Sequence, residues 1–208
     1  MSEFLPIMLK TTAMNCLVVG GGKVAQKKVL VLLRFGVRVT VVADQLVSGL
    51  ERLVKQELIS YLPRKFTPID LLFKKMVIAA TNDRKVNQRV IWWAQRLNLF
   101  YNTVDDVEGS NFIFPAIYRS GLLTVGISTQ GAYPALAKQI KRQFALNYGN
   151  DYRFYLSKLS SFRDYIKSNV SDSHHRRLLL RKLLKIDIEL LMAWDEAELR
   201  EWLNHESS

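Results

Sequence analysis

Short apolar runs alternate with amphipathic stretches along the first hundred residues of the chain. Five runs rich in apolar and β-branched residues predict strands at 15–19, 38–42, 59–62, 76–80 and 100–104. Apolar residues at helical spacing predict helices at 24–35, about 48–57 and about 85–97. The run at 76–80 is apolar throughout, as expected of a central parallel strand covered on both faces. The alternation predicts an α/β fold built on a doubly wound parallel sheet.

The pattern changes after residue 105. Two apolar runs, 112–118 and 122–128, are joined across Arg119-Ser120-Gly121 and predict a β-hairpin. After Gly131 no run is typical of a strand. Pro134 begins a predicted helix that ends at about Tyr148, and two or three further helical stretches follow, with breaks near 149–150 and 171–173. We therefore predict three parts, at 1–110, 111–145 and 146–208.

Three consecutive glycines end the first predicted strand. Gly20, Gly22 and Ala25 fit the G-x-G-x-x-G/A turn of a Rossmann-type fold. Gly20 permits the tight turn, Gly22 lets a pyrophosphate approach the backbone, and Ala25 lets the helix pack close to the strand. The helix then begins at about Lys23 and Val24, whose N–H groups lie at its positive end and favour an anion. The pattern predicts a dinucleotide site.

Composition narrows the class of protein. The formal net charge is +11, and most of it lies in residues 1–131. A polyanionic small-molecule ligand and simple solubility both account for this charge. No nucleic-acid-binding motif accompanies it, so we expect no nucleic-acid partner. No apolar run approaches the ~20 residues that span a bilayer, and we expect no secretory signal and no membrane association. The single cysteine, Cys16, is expected to be a small buried apolar residue in a cytoplasmic protein.

Polar residues follow three of the predicted strands. Asp44 lies about twenty residues beyond the glycines, where an acidic residue binds ribose hydroxyls and disfavours a 2′-phosphate, which favours NAD; a solvated turn is the alternative. Thr81 and Asn82 follow the fourth strand and either contact the dinucleotide or form a turn that caps the next helix. Asp105 and Asp106 follow the fifth strand and serve as acid/base groups or metal ligands, or form a solvated turn.

A hydroxyl- and glycine-rich loop precedes the helix after the hairpin. It contains Ser128, Thr129 and Gly131, and Pro134 begins the helix. Two interpretations are open: the loop binds anionic groups at the helix N-terminus, or it only caps the helix.

These motifs together resemble the precorrin-2 dehydrogenase family, which is the N-terminal module of siroheme synthases. The matching segments occur in family order over roughly residues 5–145. They are 6–9, 18–25 with Lys28, 39–43, 79–83 with Val86-Asn87, 102–106, 112–116, 127–129 with Gly131, and 134–137. The segments after the glycines are far more specific than the glycines themselves. Asp44 stands where many members have proline, and Tyr133 replaces a common serine or threonine.

The resemblance implies oxidation of precorrin-2 to sirohydrochlorin with hydride transfer to NAD⁺. It assigns Asp105 the role of general base or proton-transfer group, and Ser128 a place in the tetrapyrrole cleft. Some members also insert Fe²⁺ as a substrate, which would make Asp105 a transient metal contact; this activity stays open. The resemblance further implies a homodimer, with the hairpin and tail at the interface. Precorrin-2 is expected from a separate uroporphyrinogen methyltransferase. The alternative is a nucleotide-sensing Rossmann regulatory module that binds nucleotide without catalysis.

Overall fold

The computed structural model describes residues 4–106 and 108–206, which form two compact units that divide between Phe114 and Pro115. The first unit contains five strands, three α-helices and a 3₁₀ helix at Pro68–Leu71. In chain order these strands and α-helices are β1 (Asn15–Val19), α1 (Lys23–Arg34), β2 (Arg38–Val42), α2 (Ser48–Lys55), β3 (Ser60–Leu62), β4 (Met76–Ala79), α3 (Arg84–Arg96) and β5 (Phe100–Thr103). The predicted domain limits at 110 and 145 stay predictions.

The first unit is a Rossmann-type sheet, as the alternation predicted. All pairings in the sheet are parallel, in the order β3-β2-β1-β4-β5. The chain moves outward from β1 in one direction and then returns to β4 on the other side of β1. This reversal creates the switch point at which such sheets bind ligands, beyond the carboxyl ends of β1 and β4.

Two apolar layers cover the sheet because successive side chains of its central strands point to opposite faces. Cys16 and Val18 of β1 belong to the layer that contains the buried residues of α1 and α2. Leu17 and Val19 belong to the opposite layer, with Val90 and other residues of α3. Burial raises the pKa of the Cys16 thiol, as expected of an inert apolar position. Helix α2 begins at Ser48, and Val47 occupies the capping position without a side-chain hydrogen bond.

Over residues 115–206, the described part of the second unit, the chain forms a hairpin and five helices. Its elements are β6 (Ala116–Ser120), β7 (Leu123–Ile127), α4 (Pro134–Asn147), α5 (Asn150–Asn169), α6 (Ser173–Leu183), α7 (Ile188–Ala193) and α8 (Glu196–Glu206). The two strands are antiparallel, and Ser120 pairs with Leu123 across the turn. Helices α5 to α8 share an apolar core that includes Ile166 and Leu191. None of the helices within the described residues is long and apolar enough to span a membrane.

Two sequence predictions for this region were wrong in detail. The first hairpin strand begins at Ala116 rather than at Phe112. Phe112 and Phe114 instead pack against the core of the first unit, which explains their apolar character. The tail contains four helices, because Asp187 accepts hydrogen bonds at the start of α7 and Asp195 does so at the start of α8. Each aspartate ends the preceding helical pattern by capping a new helix.

Candidate active site

Several predicted site residues lie at one edge of the parallel sheet. The last paired residues of four neighbouring strands form one row across the sheet. In the order β2, β1, β4 and β5, they are Val42, Val19, Ala79 and Thr103. Asp44, Gly21, Thr81 and Asp105 each lie two residues beyond this row. The register therefore brings the loops that carry Gly20–Gly22, Asp44, Thr81 and Asp105 to the same edge.

Gly20 and Gly21 are required by the backbone around them. Gly20 has a φ of +123°, and a Cβ there would lie 2.3 Å from the carbonyl oxygen of Ala80. A Cβ on Gly21 would lie 1.8 Å from the carbonyl oxygen of Gln45. The Gly21 oxygen also accepts a hydrogen bond from the Val47 N–H at 2.9 Å. In the G-x-G-x-x-G/A pattern, Gly21 is a variable position. The spacing of the glycines therefore did not predict that Gln45 and Val47 lie against Gly21.

Gly22 is different, because no atom of the protein requires a glycine there. Its φ is −86°, which any residue adopts, and a Cβ would meet nothing within 4 Å. The space in front of Gly22 is therefore open to a ligand. This open space is compatible with the close approach of a pyrophosphate that the glycine spacing predicts.

The start of α1 fits the same ligand. Gly22 precedes the helix without a side-chain cap, and the first turn contains no acidic residue. The first hydrogen bond of the helix joins the Gln26 N–H to the Gly22 oxygen at 3.0 Å. The N–H groups of Lys23, Val24 and Ala25 precede it and have no partner within the helix. Lys23 and Val24 are exposed, whereas Ala25 is fully buried against the sheet. An anion would therefore meet free N–H donors and the positive end of the helix dipole.

Asp44 lies in the loop that touches the glycine turn. It is exposed and immediately precedes Gln45, whose carbonyl oxygen limits the space at Gly21. This location is compatible with a contact to ribose hydroxyls. The role of Asp44 stays a prediction.

The loop after β4 both caps a helix and presents an exposed side chain. Asp83 Oδ1 accepts hydrogen bonds from the N–H groups of Lys85 and Val86, at 2.8 and 3.3 Å, and so caps α3. Asn82 precedes it and is exposed. Thr81 is half-buried, and its hydroxyl lies 2.8 Å from Asn87 Oδ1. Helix capping and ligand contact therefore do not exclude each other in this segment: Asp83 caps α3, and Asn82 is accessible to a ligand.

The Asp105 carboxylate is held by two side-chain donors. The Thr103 hydroxyl donates to Oδ1, and Asn87 Nδ2 donates to Oδ2 at 3.3 Å. Desolvation raises the pKa of Asp105, but these hydrogen bonds and the charge of Arg84 outweigh it, and the pKa lies below its ordinary value. Asp105 is therefore ionised at neutral pH and can accept a proton. The sequence pattern places Asn87 in a motif shared with the family but does not indicate its contact with Asp105.

Asp106 performs a different task from its neighbour. Its Oδ1 accepts a hydrogen bond from the Gly109 N–H at 3.0 Å, and its carbonyl oxygen accepts one from the Ser110 hydroxyl at 3.0 Å. Asp106 is thus a turn residue. The two carboxylates therefore have different contacts: side chains of β5 and α3 hold Asp105, whereas a backbone N–H of the following turn holds Asp106. The acid/base role of Asp105 stays a prediction.

A cleft of about 240 Å³ lies beside Asp105. One face of α3, which includes Arg84, Gln88 and Trp92, forms one wall, and the loop after β5 forms the other. The cleft gives a substrate access to the carboxylate from the α3 side of the first unit. Within the described residues, no group of three or more metal-binding side chains is present.

The loop at 128–134 belongs to the second unit. Ser128 is exposed, and its Oγ accepts a hydrogen bond from the Gln130 N–H at 3.0 Å. Thr129 Oγ1 accepts one from the Tyr133 N–H at 3.1 Å, and Gly131 has a φ of +88°. Pro134 is the first residue of α4. The hydroxyls therefore order the loop before the helix, and their contact with substrate stays a prediction.

Comparison with known proteins agrees with this geometry. The sequence matches the family described as "Putative NAD(P)-binding" over residues 7–116, which is more than half of the chain. The chain belongs to this NAD(P)-binding family. The match covers the glycine turn, the loop at Thr81 and Asp105, and it confirms the predicted class of cofactor.

Individual relatives extend the likeness to nearly the whole chain. A siroheme synthase of Chromobacterium violaceum is 36% identical over 203 residues, which are 95% of this chain and 42% of that protein. A siroheme synthase of Nitrosospira multiformis is 35% identical over 98% of this chain and 44% of its own length. The chain thus spans less than half the length of these curated relatives. Among solved structures, SirC, a precorrin-2 dehydrogenase, matches with a TM-score of 0.77 and 27% identity, over 98% of this chain and 99% of that one.

Proposed function

We propose that this protein is an NAD-dependent precorrin-2 dehydrogenase, which oxidises precorrin-2 to sirohydrochlorin. The observation that carries the proposal is the likeness to SirC, a precorrin-2 dehydrogenase, along essentially the full length of both chains. The reaction removes a hydride and a proton from precorrin-2. NAD⁺, when bound, supplies the acceptor for the hydride.

The residues of the site fit the two halves of this reaction. The open space at Gly22 and the N–H groups of Lys23, Val24 and Ala25 bind the pyrophosphate, and Asp44 binds the adenosine ribose and favours NAD over NADP. Ionised Asp105 accepts the proton that the substrate loses. Its carboxylate is held by Thr103 and Asn87, so the base keeps one orientation.

The substrate side of the proposal rests on charge and on the loop in the second unit. Precorrin-2 is a polycarboxylate, and the formal net charge of +11 attracts such a molecule. Ser128, Thr129, Gly131 and Pro134 form an exposed turn at the start of α4, whose N-terminus suits a carboxylate. We assign this turn to substrate binding.

The test compares two adjacent carboxylates. We expect Asp105→Asn to lower kcat for NADH formation from precorrin-2 and NAD⁺ by about 10²–10⁴-fold, since a positioned general base contributes about that much. Asp106→Asn is the matched control, because that side chain accepts a backbone hydrogen bond in a turn, and we expect it to keep most of the turnover. NADH is followed by absorbance under anaerobic conditions.

The same assay distinguishes the enzyme from a nucleotide sensor. A wild-type protein that binds NAD⁺ but forms no NADH with precorrin-2 contradicts the proposal and favours the regulatory module. Equal losses in the two aspartate variants would show that Asp105 is not the base. Fe²⁺ insertion, homodimer formation and cytoplasmic location stay predictions, and siroheme absorbance after Fe²⁺ addition tests the first of them.

A further inference from the structure

Asn87 connects the loop after β4 to the loop after β5. It lies in α3 and is only 2% exposed. Its Nδ2 donates to the Thr81 carbonyl oxygen at 3.1 Å and to Asp105 Oδ2 at 3.3 Å. Its Oδ1 accepts from the Thr81 N–H at 3.2 Å and lies 2.8 Å from the Thr81 hydroxyl. Both N–H donors of the amide are therefore used, and its oxygen accepts from the Thr81 N–H.

These partners also fix which way the amide points. Reversing it would place Oδ1 against the Thr81 carbonyl oxygen and the Asp105 carboxylate, and both of these groups only accept hydrogen bonds. It would also place the amide N–H groups against the Thr81 N–H, which only donates. The orientation is therefore determined by the network. A buried group with one permitted orientation holds its partners in one geometry.

We propose that Asn87 is a positioning residue, which holds the Asp105 carboxylate and the backbone at Thr81 in a fixed relation through one buried amide. The proposal rests on the proposed function, in which Asp105 is the base, and on the sequence prediction that the loop with Thr81 and Asn82 contacts the dinucleotide. Thr81 and Asp105 lie at the same level beyond the sheet edge, but on loops that are separated by the whole of α3. Asn87 is the described side chain that bonds to both.

The groups around Asp105 determine how much the Asn87 hydrogen bond affects the pKa of its carboxyl group. Arg84, from the first turn of α3, lowers the pKa of Asp105 through its charge. Asp106 also lines the cleft, but its carboxylate accepts a hydrogen bond from Gly109. Thr103 donates to one carboxylate oxygen, and Asn87 donates to the other. Loss of the Asn87 donor destabilises the ionised form, so the pKa of Asp105 rises.

Asn87→Asp is the first test, because it keeps the size of the side chain and replaces its N–H donors by carboxylate oxygens. A second carboxylate beside Asp105 opposes ionisation. We expect the acid limb of the kcat/KM profile to move upward by about one pH unit or more. We also expect the KM for NAD⁺ to rise, because the introduced carboxylate cannot donate to the Thr81 carbonyl oxygen.

Thr103→Val is the matched control. It removes the other donor to the same carboxylate and preserves the side-chain shape, but Thr103 makes no hydrogen bond to Thr81. We therefore expect it to move the acid limb upward without raising the KM for NAD⁺. This difference separates a residue that connects two loops from one that only contacts the base. Asn87→Ala and Asn87→Ser replace Asn87→Asp if that chain does not fold.

A direct titration makes the result independent of turnover. The carboxyl carbon of Asp105 is followed by ¹³C NMR in the wild type and in the Asn87 variants, without substrate. If the wild type does not oxidise precorrin-2 but the Asp105 pKa rises in the variants, the positioning role stands and the proposed function fails. If folded Asn87 variants change neither the Asp105 pKa nor the KM for NAD⁺, Asn87 only stabilises the fold, and the inference is overturned.

Discussion

The three glycines at 20–22 lead to a prediction that separates cofactor binding from folding. Gly22→Ala places a methyl group where, apart from its chain neighbours, no atom of the described residues lies within 4 Å, at a φ of −86° that alanine adopts freely. Alanine is a poorer N-cap than glycine, but it also lowers the entropy of the unfolded chain, which stabilises the fold by about 0.4–1 kcal/mol. These effects oppose each other, so we expect the free energy of unfolding to change by less than about 1 kcal/mol.

The same methyl group should weaken NAD⁺ binding strongly. A backbone N–H binds a phosphate oxygen at about 2.9 Å between heavy atoms, whereas a methyl carbon needs about 3.5–4.0 Å. The pyrophosphate is therefore displaced by roughly 0.5–1 Å. Loss of one hydrogen bond to a charged group costs about 1.5–3 kcal/mol, which corresponds to roughly a 10- to 150-fold rise in Kd. Calorimetric titration with NAD⁺ measures this change.

Gly21→Ala is the matched control for the fold. Its Cβ would lie 1.8 Å from the Gln45 carbonyl oxygen, a backbone atom that cannot rotate away. Overpacking of this kind costs about 1–3 kcal/mol, and we expect the melting temperature to fall by several degrees. If Gly22→Ala binds NAD⁺ as tightly as the wild type, the pyrophosphate does not lie at Gly22. If it melts as early as Gly21→Ala, the open space described at Gly22 is wrong.

Two further predictions concern Asp44 and Ile166. Asp44→Ala should weaken binding of NAD⁺ and reduce the preference for NAD⁺ over NADP⁺, because we propose that the carboxylate binds ribose hydroxyls and repels a 2′-phosphate. Titrations with both nucleotides measure the ratio of affinities, and an unchanged ratio would leave Asp44 a solvated turn residue. Ile166→Ala removes a fully buried side chain from the core of α5 to α8 and should cost about 2–5 kcal/mol of unfolding free energy. Chemical denaturation tests this value, and a change below about 1 kcal/mol would contradict the packing described for that core.

The sheet could be predicted because the residues of each central strand are apolar on the faces that become buried. Met76–Ala79 is apolar on both faces, which is the pattern expected of a parallel strand between two helical layers. The start of the hairpin could not be located in the same way. Phe112 and Phe114 have the pattern of a strand, but they are apolar because they pack on the first unit. Hydrophobic periodicity indicates which side chains are buried, but it does not indicate which part of the protein covers them.

The candidate site shows the same limit at the level of single residues. Gly22 follows from a known spacing, whereas the need for Gly21 depends on the position of Gln45, which the chain reaches more than twenty residues later. The local pattern alone does not distinguish Asp105 from Asp106, and only the family resemblance selected Asp105. They differ only after folding, when one carboxylate meets Asn87 and the other meets Gly109. Contacts between distant segments are set by the register of the sheet, and a local pattern does not contain it.

The difference between local and long-range contacts explains why the class of cofactor was easier to predict from the sequence than the surroundings of Asp105. A pyrophosphate is bound by backbone N–H groups at one strand–helix turn, so its requirements are local and leave a local pattern. A base needs a defined orientation and protonation state, and for the proposed base, Asp105, these depend on donors from two elements, β5 and α3. Asn87 carries this dependence, since its side chain bonds to the loops after both β4 and β5. Residues of this kind should be sought in buried amides whose hydrogen bonds join two loops at the same edge of a sheet.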